Sequence, residues 1–191
     1  MLEYIITSKT RRKILAFFFN NPGVWYHMRR IGREVGEEIN AVKRELDILE
    51  KAGLLLREKR LNKVLFCLNE KYINFHEFLA IFTKSSPIAQ QCIKNISRLG
   101  KVKSIVLSEK FALREKIPDS EIYILVIGTV VVAEVIQIIK SQQETFPHEI
   151  NYTVMTAEEF AFRKKNKDPF IWNFLHQPNI MIIGNPKELL S

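Results

Sequence analysis

The sequence is poor in the residue types that mark secreted, membrane-spanning and metal-binding chains. Two of its 191 residues are cysteines, Cys67 and Cys92, and they lack CxxC spacing, so we expect two buried, reduced thiols rather than a disulfide or a metal site. A membrane-spanning helix needs about 18 or more consecutive apolar residues. The nearest run, residues 122–139, is interrupted by Gly128 and Glu134, so no membrane partner is expected.

Other signals are also missing. The opening segment MLEYIITSKTRRKIL has no basic part followed by an apolar part, so it is not a signal peptide, and a cytoplasmic location is expected. Glycine occurs only seven times and never in a glycine-rich loop, and the four histidines are scattered. The sequence therefore predicts no cofactor, no metal site and no local acid–base set.

Positive charge is concentrated in the first half of the chain, which has a formal net charge of +8. Residues 1–84 carry 16 Lys and Arg against 10 Asp and Glu, a surplus of 6, whereas residues 85–191 carry 13 against 11, a surplus of 2. A basic segment followed by a nearly neutral one indicates a polyanionic partner for the first segment.

The first 85 residues predict helices and a β-hairpin. Two β-rich runs, LLLREKR and KVLFCLN, flank a basic turn and predict the hairpin. The break Ser85-Ser86-Pro87 marks the expected boundary between domains at residues 1–85 and 86–191. Apolar periodicity and turn residues predict helices at about 8–19, 28–35, 38–51 and 72–84, with a short β-rich run at 24–27.

The expected helix at 38–51 has two different faces. An apolar stripe with spacings of three and four is expected to pack on the core: Ile39, Val42, Leu46 and Leu49. The opposite face carries Asn40, Lys43, Arg44 and Asp47. Of these, Asn40 and Arg44 suit the edges of adenine and guanine in the major groove of DNA, and Lys43 suits a phosphate.

Further basic residues extend this candidate surface. The hairpin carries Arg57, Lys59, Arg60 and Lys63, and the helix at 28–35 carries Arg29, Arg30 and Arg33. These cations suit the DNA backbone or the minor groove. One alternative is that they are ordinary solvated side chains, with Lys43 and Arg44 paired to Asp47. Another is a protein-docking or dimerisation module, which the basic hairpin disfavours.

The stretch from Asn21 to Tyr72 contains the pattern REL..LEKAGLL, a hairpin and then Asn69. It resembles the ArsR-type winged-helix transcriptional regulators of bacteria and archaea, over about residues 8–84. The resemblance implies a winged helix-turn-helix domain that binds double-stranded DNA, usually as a homodimer. The Cys and His pattern of the metal-responsive members is absent. The helices at 8–19 and 72–84 are candidate dimer surfaces, and the alternative is that their aromatic residues fill the domain core.

Residues 86–191 alternate between helical and β-rich segments, which predicts an α/β sheet. Helices are expected at 88–99, 130–146, 157–164 and 168–175, and strands at 103–108, 121–128, 149–156 and 180–183. The segments PDSEIYILVIG, EINYTVMTAEEF and KDPFIWNFLHQPNIMIIGNPKEL resemble small nucleotidyltransferase domains of the DNA-polymerase-β type. Some prokaryotic regulators carry such a domain behind an ArsR-like winged helix, and the chain from Ser8 to Leu190 is similar to these, so the implied fold is a two-domain α+β or α/β chain.

The residues that this second resemblance requires for catalysis are replaced. The Gly-Ser that holds the triphosphate falls on Glu109-Lys110, and the three metal-binding carboxylates fall on Glu121, Tyr123 and near Asn151. Glutamate repels a triphosphate and tyrosine does not hold Mg²⁺ at neutral pH, so a degenerate, inactive site is implied. A shifted register through Asp119, Glu121 and Glu149 lacks a Gly-Ser at the required distance.

Together these patterns predict a dimeric transcriptional regulator that binds a near-palindromic DNA site through two helices about one turn of DNA apart. The second domain is expected to dimerise, to sense a nucleotide or another small ligand, or to bind a partner protein. The alternative function is an active nucleotidyltransferase that modifies a small molecule, RNA or protein.

Overall fold

The computed structural model describes residues 2–190, and only the backbone of Leu190. The chain forms two compact units that divide between Phe82 and Thr83, whereas the sequence placed the boundary after Ser85. Each unit mixes helices with one β-sheet. Within residues 2–190, no helix is both long enough and apolar enough to cross a membrane.

The N-terminal unit consists of helices packed around a three-stranded sheet. A 3-10 turn at Leu2–Tyr4 is followed by α1 (Lys9–Phe19), β1 (Tyr26–His27), α2 (Met28–Val35), α3 (Ile39–Lys51), β2 (Leu55–Arg60), β3 (Lys63–Leu68) and α4 (Phe75–Lys84). Strands β1 and β2 both pair antiparallel with β3. The structure confirms the predicted hairpin and the three helices predicted at about 8–19, 28–35 and 38–51, which are α1, α2 and α3.

Helix α4 begins at Phe75 rather than at Tyr72, where the sequence placed its start. The Asn69 side chain accepts a hydrogen bond from the Lys71 amide at 3.1 Å and donates one to the Gly53 carbonyl at 2.8 Å. The Tyr72 amide also bonds the Asn69 carbonyl at 3.0 Å. These bonds favour a turn over helix at residues 69–72.

Helix α1 is fixed to α3 by a set of partly buried polar contacts. Ser8 is the N-cap of α1, where its Oγ accepts from the Arg11 amide and donates to Glu45 Oε1 at 2.6 Å. The Arg11 Nε atom donates to the other Glu45 oxygen at 2.7 Å. Because Glu45 lies on α3, this arrangement helps set the position of that helix against the core.

The second unit contains a four-stranded mixed sheet with strand order β6-β5-β4-β7. Strand β4 pairs antiparallel with β5 and β7, and β5 pairs parallel with β6. The elements are α5 (Pro87–Lys94), β4 (Gly100–Ser108), α6 (Glu109–Leu113), β5 (Ile124–Val130), α7 (Val132–Gln143), β6 (Tyr152–Met155), α8 (Ala157–Lys165), α9 (Pro169–Leu175), β7 (Asn179–Ile183) and α10 (Pro186–Leu190).

Several boundaries in this unit differ from the predictions. Helix α5 ends at Lys94 rather than at Leu99, and turns follow it. Strand β5 runs from Ile124 to Val130 instead of 121–128 because Val130 still pairs with Gly100, and α7 therefore starts only at Val132. Strand β6 is likewise shorter than expected, at Tyr152–Met155. Sheet pairing, which the sequence pattern does not encode, decides these ends.

Helices cover both faces of this sheet. Alternate residues of β4 point to opposite faces, so Ile105 and Leu107 join one apolar cluster and Val106 the other. The first cluster includes Cys92, whose burial raises the pKa of its thiol to about 11. Both cysteines are free and buried, as the sequence predicted.

Candidate nucleic-acid interface

Helix α3 is held with one face in the core and the other in solvent. Val42, Leu46 and Leu49 are 0%, 0% and 5% exposed, whereas Ile39 is 38% exposed. The prediction that Ile39 belongs to the buried stripe is wrong. Ile39 is the first residue of the helix, where the chain enters from an exposed turn, and it therefore lies beyond the edge of the core.

The ends of α3 are defined by local hydrogen bonds. Glu38 is the N-cap, and its Oε2 accepts from the amides of Asn40 and Ala41 at 3.0 and 3.1 Å. At the other end Gly53 adopts a φ of +79°, a conformation that favours glycine and that ends the helix. The helix ends at Lys51, as the sequence predicted.

The solvent face of α3 carries the four predicted residues Asn40, Lys43, Arg44 and Asp47, all of them exposed. In the described part of the chain, neither Lys43 nor Arg44 forms an ion pair with Asp47. The two cations are therefore available to an external partner, in contrast to the alternative of a self-paired helix face.

A groove beside this face collects the cations of α2 and the hairpin. Its lining includes Arg29, Arg30, Arg33, Lys63 and one acid, Glu37. The Glu37 carboxylate lies 2.6 Å from the Lys13 Nζ and also accepts a hydrogen bond from Thr10. Lys13 holds the pKa of Glu37 below its ordinary value. Because α1 cations balance this carboxylate, the groove keeps an excess of positive charge.

Two of the groove arginines are free of ion pairs within residues 2–190, namely Arg29 and Arg33. Arg30 lies 3.6 Å from Glu34 and its guanidinium carbon lies 5.0 Å from the centre of the Tyr26 ring. The Arg29 amide donates to the His27 Nδ1 atom at 3.2 Å, which makes His27 the N-cap of α2. The cap fixes the first turn of α2, from which Arg29 and Arg30 extend.

The hairpin divides its four predicted cations between its two faces. The register pairs Arg60 with Lys63 and Arg57 with Phe66, so Arg60 and Lys63 share one face and Arg57 and Lys59 share the other. Lys63 is the only one of the four that lines the groove within the described residues.

Both hairpin arginines are engaged within the unit. Arg60 donates from Nε and Nη2 to the two carboxylate oxygens of Glu58, at 2.9 and 2.8 Å, and its guanidinium lies 5.5 Å from the Trp25 ring centre. This pairing lowers the pKa of Glu58. Arg57 lies 3.3 Å from Glu50 at the end of α3. The described chain contains no such pair for Lys59 or Lys63.

The aromatic residues of the candidate dimer helices contribute to the core of the N-terminal unit. The Phe19 ring stacks on Phe82 at 4.9 Å between centroids and lies 6.0 Å from the Phe75 ring. All three residues are at most 4% exposed. These contacts favour the alternative that the aromatic residues of α1 and α4 fill the core.

In the second unit, the five positions that the resemblance assigns to a degenerate nucleotidyltransferase site lie near one end of the sheet. Glu121 and Tyr123 precede β5 rather than lying on it, which corrects their predicted placement on a strand. The Lys110 Nζ lies 2.7 Å from Glu121 Oε2, and the Asn151 side chain donates to the Glu121 carbonyl at 3.2 Å. Glu109 opens α6, and its amide donates to the Pro178 carbonyl at 2.9 Å.

Tyr123 is a core residue. Its side chain is 0% exposed, and its hydroxyl donates to the Glu115 carbonyl at 2.6 Å. Burial raises the pKa of Tyr123. Across residues 2–190, no group of three or more His, Cys, Asp or Glu side chains is arranged to hold a metal ion. The residues present at this edge therefore do not fit the pair of divalent metals that nucleotidyl transfer requires.

Comparisons with known proteins add little to this geometry. No protein-family model matches the chain, and no curated protein matches it. One similar solved structure is described as a possible transcriptional regulator from Methanosarcina mazei Go1, with 13% identity, coverage of 52% of this chain and 85% of that chain, and a TM-score of 0.35. A similarity at this level supports no assignment, so the function rests on the residues described above.

Proposed function

We propose that the chain is a transcriptional regulator whose N-terminal unit is a winged helix that binds double-stranded DNA sequence-specifically. The observation that carries this proposal is the exposed polar face of α3 beside the cationic groove. Helix α2, helix α3 and the hairpin supply this surface together, as a helix-turn-helix with a wing does. The resemblance of residues 8–84 to ArsR-type regulators supports the same proposal.

The geometry divides the proposed DNA contacts into two classes. Arg29, Arg33 and Lys63 line the groove without internal ion pairs in the described chain, so they suit phosphates. Asn40 and Arg44 lie one helical turn apart on α3, and their side chains suit the edges of adenine and guanine in the major groove.

Salt dependence of binding tests this proposal. The full chain is titrated against labelled random genomic duplexes at several salt concentrations. Three phosphate contacts per protomer predict a slope of log K against log salt of about −3 or steeper. The triple variant Arg29→Ala, Arg33→Ala, Lys63→Ala loses most of this slope. Lys71→Ala, an exposed lysine outside the groove, keeps it. Absence of binding, or binding that salt does not weaken, overturns the proposal.

We further propose that the second unit has a nucleotidyltransferase-like fold without catalytic activity and serves dimerisation, ligand sensing or partner binding. The ion pair of Lys110 with Glu121 and the burial of Tyr123 support this proposal. A regulator with one such DNA-binding unit per chain would recognise a near-palindromic site as a homodimer. Sedimentation equilibrium of the full chain measures that state directly, and a monomer at all concentrations excludes the homodimer.

The rival activity is tested by incubation with labelled nucleoside triphosphates and Mg²⁺ or Mn²⁺. We expect no label on the protein or on added small molecules and RNA. Label transfer that Glu121→Ala abolishes and Glu144→Ala retains would establish the enzyme instead. Glu144 is the matched control because it is an exposed glutamate at the end of α7.

A further inference from the structure

Ile39 is an apolar side chain placed at the polar surface of α3. It lies on α3 one turn before Lys43, whose side chain is also exposed. The Ile39 Cδ1 atom lies 3.5 Å from the position that a Cβ on Gly32 would occupy, so the side chain packs over the bare backbone of α2. Gly32 thus permits Ile39 to rest between the two helices while 38% of it remains exposed.

The surroundings of Ile39 are cationic. Together with Arg29, Arg33 and Lys63, Ile39 lines the groove that we assign to phosphates. It therefore forms an apolar spot between the phosphate-binding cations and the exposed residues Asn40 and Lys43. Packing on Gly32 accounts for the buried part of the side chain, whereas its exposed part faces the groove.

We propose that Ile39 determines specificity by contacting the C5-methyl groups of thymines in the major groove. The inference rests on the proposed function. The first residues of a recognition helix are those that approach base edges, and the thymine methyl is the apolar group that the major groove presents. An exposed aliphatic side chain at the start of α3 matches that group in both position and chemistry.

Ile48 provides a matched control on the same helix. It is 46% exposed and lies nine residues after Ile39, about 13 Å along the helix axis. It does not line the groove. If loss of any exposed isoleucine changed DNA binding, substitution at either position would show it. If the change requires contact with a base, only substitution of Ile39 would show it.

The experiment measures coupling between Ile39 and the methyl group. A randomised duplex library is synthesised once with thymine and once with deoxyuridine, which differs only in lacking the methyl. After selection on the thymine library, the enriched duplexes are remade in both forms. Full-length wild-type protein is expected to bind the uracil form about fourfold more weakly for each contacted methyl, the effect of exposing one methyl group.

The variants separate the possible outcomes. Ile39→Ala is expected to bind the two forms within about twofold of each other, whereas Ile39→Val and Ile48→Ala keep the wild-type preference. Equal binding of both forms by the wild type, or the same methyl dependence in Ile39→Ala, overturns the inference and leaves the proposed function intact. Failure to bind either library overturns the proposed function itself. Thermal unfolding confirms that each variant is folded.

Discussion

Arg60 and Glu58 form a two-bond ion pair on one face of the hairpin, with Nε 2.9 Å from Oε1 and Nη2 2.8 Å from Oε2. The same guanidinium covers the ring of Trp25, the residue before β1. A bidentate pair stacked on an aromatic ring restrains both side chains. Arg60 therefore fixes the hairpin to the strand beside it, and Lys63 is the cation of that face that has no ion pair in the described chain.

This distinction predicts different salt dependences for two neighbouring cations. Lys63→Ala should reduce the magnitude of the slope of log K against log salt by about 1, because one phosphate contact is lost. Arg60→Ala should change the slope by less than about half of that, because its charge is already balanced by Glu58. Fluorescence anisotropy of the full chain with one duplex measures both slopes. Equal slopes for the two variants would assign Arg60 to the DNA backbone.

Arg44 and Lys63 should affect sequence preference differently. Arg44→Ala is expected to lose discrimination at the position it contacts, worth about 1–3 kcal/mol per bidentate base contact. Lys63→Ala should weaken binding to all sequences alike. Competition between a selected duplex and its scrambled version measures the preference. Lys51→Ala, at the end of the same helix, is the control for loss of charge on α3.

The lowered pKa of Glu37 predicts how the stability of the N-terminal unit depends on pH. Its pKa in the folded state is lowered, chiefly by the hydrogen bond from Lys13, so its ionised form stabilises the fold. This contribution is present above the ordinary value of 4.5 and is lost as the pH falls through the lowered pKa. The difference in Tm between wild type and Glu37→Gln should therefore shrink below about pH 4.5. Glu77→Gln, at an exposed position on α4, is the control and should differ from wild type in Tm by less than Glu37→Gln at every pH above 4.5.

The burial of Tyr123 predicts that a metal-binding carboxylate cannot be introduced at this position without a loss of stability. Tyr123→Phe removes the hydrogen bond to the Glu115 carbonyl and should lower the free energy of unfolding, measured in urea, by about 1 kcal/mol. Tyr123→Asp places a carboxylate at a fully buried position and should cost several times as much, about 3 kcal/mol or more. Tyr152→Phe is the control, since the described structure gives the Tyr152 hydroxyl no partner. A stable Tyr123→Asp variant would contradict the assignment of Tyr123 to the core.

Much of the N-terminal unit followed from local pattern. The approximate bounds of α1 and α3, the hairpin and the outward face of α3 depend on residues that lie close together in the sequence, so their spacing and type encode them. The apolar spacing did not predict the exposure of Ile39, because such spacing shows which helix face turns toward the core and not how far along the helix the core extends. A glycine at position 32, seven residues earlier, was the available signal.

What the sequence alone determined is the order and type of most elements and the exposed row Asn40, Lys43 and Arg44 on α3. Only the tertiary structure decided which cations are free. It paired Arg60 with Glu58 and Lys110 with Glu121, and it balanced Glu37 with Lys13. Arg60 and Glu58 lie two residues apart on one face of β2, so local spacing already brings them close. The pairs of Lys110 with Glu121 and of Lys13 with Glu37 join residues from different elements, so they depend on packing that no local spacing of charges reports.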